Sequence, residues 1–130
     1  MSRRVLIVEN ETEIQDVLCS ILELAECKCE VERAANGAIA LEKLMAATEN
    51  VAPDLIFLDL MMPKMSGSAF VQELRKRKLF PNTPIIVISG DMQVREQVSD
   101  LGMDVFIGKP FSVNEVIDIV NALIGEPSNA

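Results

Sequence analysis

The sequence predicts an α/β fold: one doubly wound, five-stranded parallel sheet covered on its two faces by five helices. Two observations carry this. Short apolar runs at residues 5–8, 55–58, 85–88 and 105–107 alternate with longer stretches whose apolar residues recur at helical spacing. The central runs are apolar throughout rather than every second residue, which is how strands buried on both faces read. Short connections and right-handed crossovers then place helices on both sides of a parallel sheet. At 130 residues the chain is long enough for one core and one domain.

Residues 4–8 form the first strand, and residues 11–26 follow as a helix with Ile14, Val17, Leu18, Ile21, Leu22 and Ala25 on one face. Residues 29–34 alternate enough for a second strand, which Asn36-Gly37 breaks. Residues 38–48 are rich in Ala and Leu and read as a helix with Leu41, Leu44 and Met45 to one side. Residues 50–53 lead into the central strand, an apolar run bounded by Pro53 before and the 63–67 turn after, and Asp59 ends it. Ser66 is placed to cap a third helix through Lys78 carrying Phe70, Val71 and Leu74, and Arg75-Lys76-Arg77-Lys78 complements the dipole at its end.

Residues 85–88 form the fourth strand, which stops at a hydroxyl, Ser89. Gly90-Asp91 opens a fourth helix whose stripe is only Val94, Val98 and Leu101, a loosely held element that Gly102 can end. Residues 105–107 form the fifth strand, followed by Gly108-Lys109-Pro110-Phe111. Ser112 and Glu115 form a capping box for the last helix, with Val113, Val116, Ile117, Val120, Leu123 and Ile124 inward and Gly125 at its end. Residues 3–125 thus read as one domain and residues 126–130 as a short polar tail.

Twenty acidic against twelve basic residues give a net charge of -8, which opposes attraction to DNA or anionic lipid, so neither nucleic acid nor membrane is an expected partner. His, Trp and Tyr are absent, and with them the commonest general base and base-stacking groups. No apolar run approaches the ~20 residues of a membrane span, and Arg3-Arg4 leads straight into a strand rather than a signal peptide, so a cytoplasmic location is expected. Cys19, Cys27 and Cys29 are odd in number, and Cys27-Lys28-Cys29 is not a zinc or thioredoxin spacing. They read as free, small apolar residues.

A doubly wound sheet brings every strand's carboxyl end to one edge, where open α/β sheets bind ligands. The sequence places Glu9 and Asn10 after the first strand, Asp59 after the third, Ser89 after the fourth and Lys109 after the fifth. Loop polarity alone does not select an acid, a hydroxyl and a lysine at separate strand ends, so these residues read as one pocket. Asp59 is costly to bury unpaired and needs a cation or donors nearby. It can serve there as a nucleophile or as a hard-metal ligand.

On these residues the chain resembles the receiver domain of two-component response regulators. The resemblance rests on Glu9-Asn10, on Asp59 with Met62-Pro63-Lys64-Met65-Ser66-Gly67, on Ser89 before Gly90, and on Lys109-Pro110-Phe111, and it spans residues 3–125. It implies a flavodoxin-like topology and a role in phosphorelay signal transduction, with Asp59 accepting a phosphoryl group from a histidine kinase or phosphotransfer protein. It further implies Mg2+ held by Glu9, Asn10, Asp59 and the Met61 carbonyl, a switch hydroxyl at Ser89, a phosphoryl contact from Lys109, a switch aromatic at Phe106 and a cis peptide before Pro110. Such a domain is not an enzyme with its own substrate; it assists only its own phosphorylation and dephosphorylation. The implied output surface is the fourth helix, fifth strand and fifth helix, engaged by a partner protein in trans. In-line phosphoryl transfer needs little beyond alignment and charge neutralisation, which these residue types supply.

Two positions depart from the family pattern. Phe106 lacks the hydroxyl of the tyrosine often found there and reads equally well as core packing. Asn10 stands where a second acid is usual, which opens an alternative: a pseudo-receiver that binds protein without phosphorylation. A phosphatase with an aspartate nucleophile would need another aspartate two residues after Asp59, where Met61 stands, and a flavin site would need a phosphate-cradling loop after the first strand. Neither is present. Exchanging one of three carboxylates for an amide weakens attraction to a divalent ion by about 1–3 kcal/mol after desolvation, tenfold to hundredfold in affinity. Asn10→Asp is therefore expected to lower the Mg2+ midpoint by that factor in a titration followed by phosphorylation rate. Equal midpoints would show that Asn10 does not touch the ion or that Glu9 compensates.

Overall fold

Successive side chains of a strand face opposite sides of its sheet, and in this chain both sides are apolar. The computed structural model describes residues 3–25, 28–46, 52–60, 66–90 and 105–124. The strands are β1 (Arg3–Val8), β2 (Cys29–Ala34), β3 (Leu55–Asp59), β4 (Ile85–Ser89) and β5 (Val105–Gly108), all parallel in the order β2-β1-β3-β4-β5. The helices described are α1 (Thr12–Leu24), α2 (Gly37–Ala46), α3 (Gly67–Lys76) and α4 (Val113–Ile124). The helix predicted from Asp91 and its stop at Gly102 lie outside the described residues, as do Gly125 and the 126–130 tail, so α4 is the last helix of the sequence prediction.

Leu6, Val8, Ile56, Leu58, Ile85 and Val87 point to one face and pack on Ala40, Leu41 and Leu44 of α2 and Phe70, Val71 and Leu74 of α3. Val5, Ile7, Leu55, Phe57, Ile86, Ile88 and Ile107 point to the other, against Leu18, Ile21 and Leu22 of α1 and Val116, Val120 and Ile124 of α4. All five residues of β3 and of β4 are buried. The chain leaves β1 for β2 at one edge and returns across β1 to β3, so the strand order reverses between β1 and β3. In doubly wound sheets that reversal opens a crevice at the carboxyl ends.

Three of the four described helices start on a side-chain acceptor, α1 being the exception. Ser66 Oγ accepts from the Ala69 N–H at 3.2 Å, Asn36 Oδ1 from the Ile39 N–H at 2.9 Å and Ser112 Oγ from the Glu115 N–H at 3.1 Å. Helix α3 ends two residues before the predicted Lys78. Lys78 is left-handed (φ 53°), its N–H donates to the Arg75 carbonyl at 3.2 Å, and the Leu79 N–H donates to the Leu74 carbonyl at 3.0 Å. This double closure needs a left-handed residue, and with lysine in place of the usual glycine the sequence gives no stop signal.

Three residues assigned inward by helical spacing are exposed: Val17 (44%), Met45 (53%) and Val113 (42%). A helix on a sheet buries a narrow stripe, and on α1 that stripe is centred toward Gln15, Leu18 and Leu22, which turns Val17 outward. Cys19 is free, as expected, but Cys29 is disulfide-bonded. A spacing that excludes a metal site does not exclude a bridge, and Cys27 lies outside the described residues.

The start of α3 rests directly on the end of β3. The Gly67 N–H donates to the Leu60 carbonyl at 3.2 Å, and a Cβ at Gly67 would lie 2.6 Å from the Asp59 carbonyl oxygen and 2.7 Å from the Leu60 Cα. Both obstacles are backbone. Gly67→Ala is expected to destabilise the domain by about 2 kcal/mol, seen as a lower urea midpoint at unchanged slope.

Candidate phosphoacceptor site

Val8 pairs with Leu58 in the β1–β3 ladder, so the next residues, Glu9 just past β1 and Asp59 at the end of β3, stand side by side at the reversal point. Both are buried, at 2% and 4% exposure. Two carboxylates so placed repel, and each loses water, so a cation must join them. Lys109, from the loop after β5, supplies it: its Nζ donates to Glu9 Oε1 at 3.0 Å and to Asp59 Oδ2 at 3.4 Å. The lysine is brought in by its own backbone, whose N–H donates to the Ser89 carbonyl at 2.9 Å, while Ser89 itself pairs with Gly108 and is fully buried. The Lys109–Pro110 peptide is cis, as the resemblance implied.

One ammonium does not balance two acids. Burial raises the Glu9 carboxyl to about 7, aided by its hydrogen bond and charge interaction with Asp59 and opposed by Lys109. Burial works to lower Lys109, but the Glu9 hydrogen bond and the charges of Asp59 and Glu9 outweigh it and hold the ammonium above its ordinary value. The second carboxylate oxygen of Glu9, Oε2, is buried with no hydrogen-bond partner. A buried anionic oxygen of that kind fits a hard cation, which takes oxygen ligands and offsets the excess negative charge.

The structure thus brings Glu9, Asp59 and Lys109 into contact and sets Ser89 on the same edge. Asn10 follows Glu9 and is exposed; Met61 lies outside the described residues. Phe106, half-buried on β5, packs on the core cluster beneath α2 and α3. Among the described residues no three acidic, cysteine or histidine side chains converge, so a metal here would have two carboxylates. The sequence reading missed Gln15, a buried α1 side chain whose Nε2 donates to the Glu9 carbonyl at 2.6 Å. Its signal was a polar residue in register with Leu18 and Leu22.

The model of the response regulator receiver domain family matches residues 5–121. The chain belongs to this family. The receiver is 32% identical over 123 residues to the DNA-binding dual master transcriptional regulator RpaA of Synechocystis sp., covering 93% of this chain and 48% of that protein. It is 37% identical over 123 residues to the sensor histidine kinase TmoS of Ectopseudomonas mendocina, covering 93% of this chain and 12% of that protein. The receiver therefore spans about half or less of these curated relatives. Among solved structures it resembles the response regulator TrrA from Thermotoga maritima in complex with Mg2+-BeF, at 31% identity and a TM-score of 0.76, covering 93% of this chain and 98% of that one. The chemotaxis protein CheY4 of Vibrio cholerae matches at 26% identity and a TM-score of 0.79, covering 95% of this chain and 99% of that one. Receiver homologues occur both in response regulators and in histidine kinases, the two sides of phosphorelay signalling, and nothing among them favours the phosphorylation-independent alternative. Receiver domains generally bind Mg2+ in the active site.

Because its folded value is raised from 4.5 to about 7, Glu9 binds a proton more tightly in the folded chain than in the unfolded one. Its contribution to stability is full below about pH 4.5 and is lost as pH rises through about 7, on the order of 3 kcal/mol at most. Without divalent ions, the urea midpoint of the wild type should fall relative to that of Glu9→Gln across this window. Parallel pH profiles for the two proteins would show that Glu9 is not held in this way.

Proposed function

We propose that Asp59 accepts a phosphoryl group from a phosphohistidine of a kinase or phosphotransfer protein, and that the adduct switches a protein-binding surface. The observation that carries this is the Lys109 ammonium spanning the buried Glu9 and Asp59 carboxylates at the ligand-binding edge of the sheet. In the transfer an Asp59 carboxylate oxygen forms the new O–P bond as the P–N bond to the donor imidazole breaks, and the freed nitrogen takes a proton from solvent. Lys109 is placed to move its hydrogen bond from the Asp59 oxygen to a phosphoryl oxygen, and the Ser89 hydroxyl is the donor proposed for another. Glu9, Asp59, Asn10 and the Met61 carbonyl are the residues that would hold Mg2+, which when bound neutralises charge on the phosphoryl oxygens.

The reading supposes a receiver domain over residues 3–125 acting in the cytoplasm, catalysing no reaction on a substrate of its own. Among the described residues no helix is long and apolar enough to cross a membrane. The proposed output surface is β5, α4 and residues 91–101, with Phe106 at its inner margin. A protein partner there, rather than direct contact with nucleic acid, is favoured by the net charge of -8.

Intact mass after incubation with Mg2+ and a small acyl phosphate tests the acceptor. A single phosphoryl adduct is expected in the wild type and none in Asp59→Asn. An adduct of equal yield in that variant ends the proposal.

A further inference from the structure

Gln15 lies on the buried face of α1 in register with Leu18 and Leu22, between helix and sheet, at 7% exposure. A primary amide is costly to bury there unless its polar groups are used. Its Nε2 donates to the Glu9 carbonyl at 2.6 Å. That carbonyl lies one residue past the last β1–β3 pair, Val8 with Leu58, where the ladder no longer serves it. On its other side Glu9 is also held, since its N–H donates to the Ala34 carbonyl of β2 at 3.0 Å. Glu9 is thus clamped between β2 and α1. The carbonyl that Gln15 holds belongs to the peptide leading into Asn10, so this one amide fixes both the stem of the Glu9 side chain and the direction in which Asn10 departs.

We propose that Gln15 is a positioning residue for the phosphoacceptor site: its side-chain amide sets the Glu9–Asn10 peptide and thereby holds Glu9 toward Lys109 and keeps both residues where they would hold a metal. It touches no reacting atom and acts through the turn. The inference rests on the reading of Glu9 and Asn10 as metal-holding residues. An apolar side chain would fill the same space and leave a buried carbonyl without a donor, and a carboxylate would set an acceptor against an acceptor.

Wild type, Gln15→Met and Gln15→Glu separate positioning from packing. Methionine keeps the length and bulk of glutamine but donates nothing; glutamate keeps its shape and donates only when protonated. Two quantities are measured: hydrogen exchange of the Glu9 N–H in metal-free protein, and the MgCl2 midpoint read from thermal stability. In Gln15→Met the Glu9 N–H should exchange about tenfold faster while Leu18 and Leu22 stay within about twofold of wild type, and the MgCl2 midpoint should rise about tenfold. In Gln15→Glu the exchange rate relative to wild type should be raised at high pH and fall back toward one as the introduced carboxyl protonates, a response that packing does not produce. Should the methionine variant not fold, the glutamate variant answers the question alone. Unchanged Glu9 exchange in the variants, or faster exchange with an unmoved MgCl2 midpoint, overturns the proposal. A wild type with no response to MgCl2 overturns the reading of the site with it, whereas a normal wild-type response with unmoved variants overturns the Gln15 proposal alone.

Discussion

Two acidic side chains buried next to each other are an electrostatic liability, and the rest of the molecule is arranged to sustain it. Parallel pairing of β1 with β3 makes Glu9 and Asp59 neighbours. The ammonium that reconciles them arrives from β5, two strands beyond β3, on a loop whose first N–H is anchored to the Ser89 carbonyl of the strand between. That arrangement needs three strand ends to be level, which a regular parallel sheet with fully apolar strands provides. It remains incomplete in charge, with two acids against one lysine, an excess of negative charge that a further cation would offset.

The neighbouring structure supports the same two residues by close approach. Gly67 lets the first turn of α3 sit on the peptide after Asp59, and Ser66 caps that turn one residue earlier. Gln15 holds the peptide after Glu9 from α1. Each acid is therefore backed by a different helix on a different face of the sheet, and neither helix offers its own charged side chain to the site.

Strand positions and the carboxyl-edge residues were legible in the sequence because both follow from local pattern: apolar runs of three or four residues, each followed at once or one residue on by a polar group. Asp59, Ser89 and Lys109 needed no contact information, only the rule that parallel strands share an edge. Val17, Met45 and Val113 were misplaced because helical spacing identifies a stripe about one third of the helix wide, whereas the stripe actually buried is set by how the helix lies on the sheet. The end of α3 was missed because its left-handed residue is a lysine. Gln15 was missed because its function is a hydrogen bond to a backbone atom, and a side chain's pairing with a carbonyl leaves no complementary residue to find. The Cys29 bridge was hidden for a related reason: cysteine spacing excludes some ligations without revealing a pairing.

The alternation of side chains along β1, β3 and β4 has a consequence for how the domain tolerates change. Leu6 and Ile7, or Ile86 and Val87, are adjacent in the chain yet belong to separate apolar compartments with the sheet as partition. Substitutions that are well separated and share no partners add nearly independently, so a change deep beneath α2 and α3 is expected to couple only weakly to one beneath α1 and α4. Such a molecule can vary the apolar packing of one face while the opposite face keeps its own, provided that the contacts holding the rim, Gln15 of α1 and Gly67 of α3, are kept.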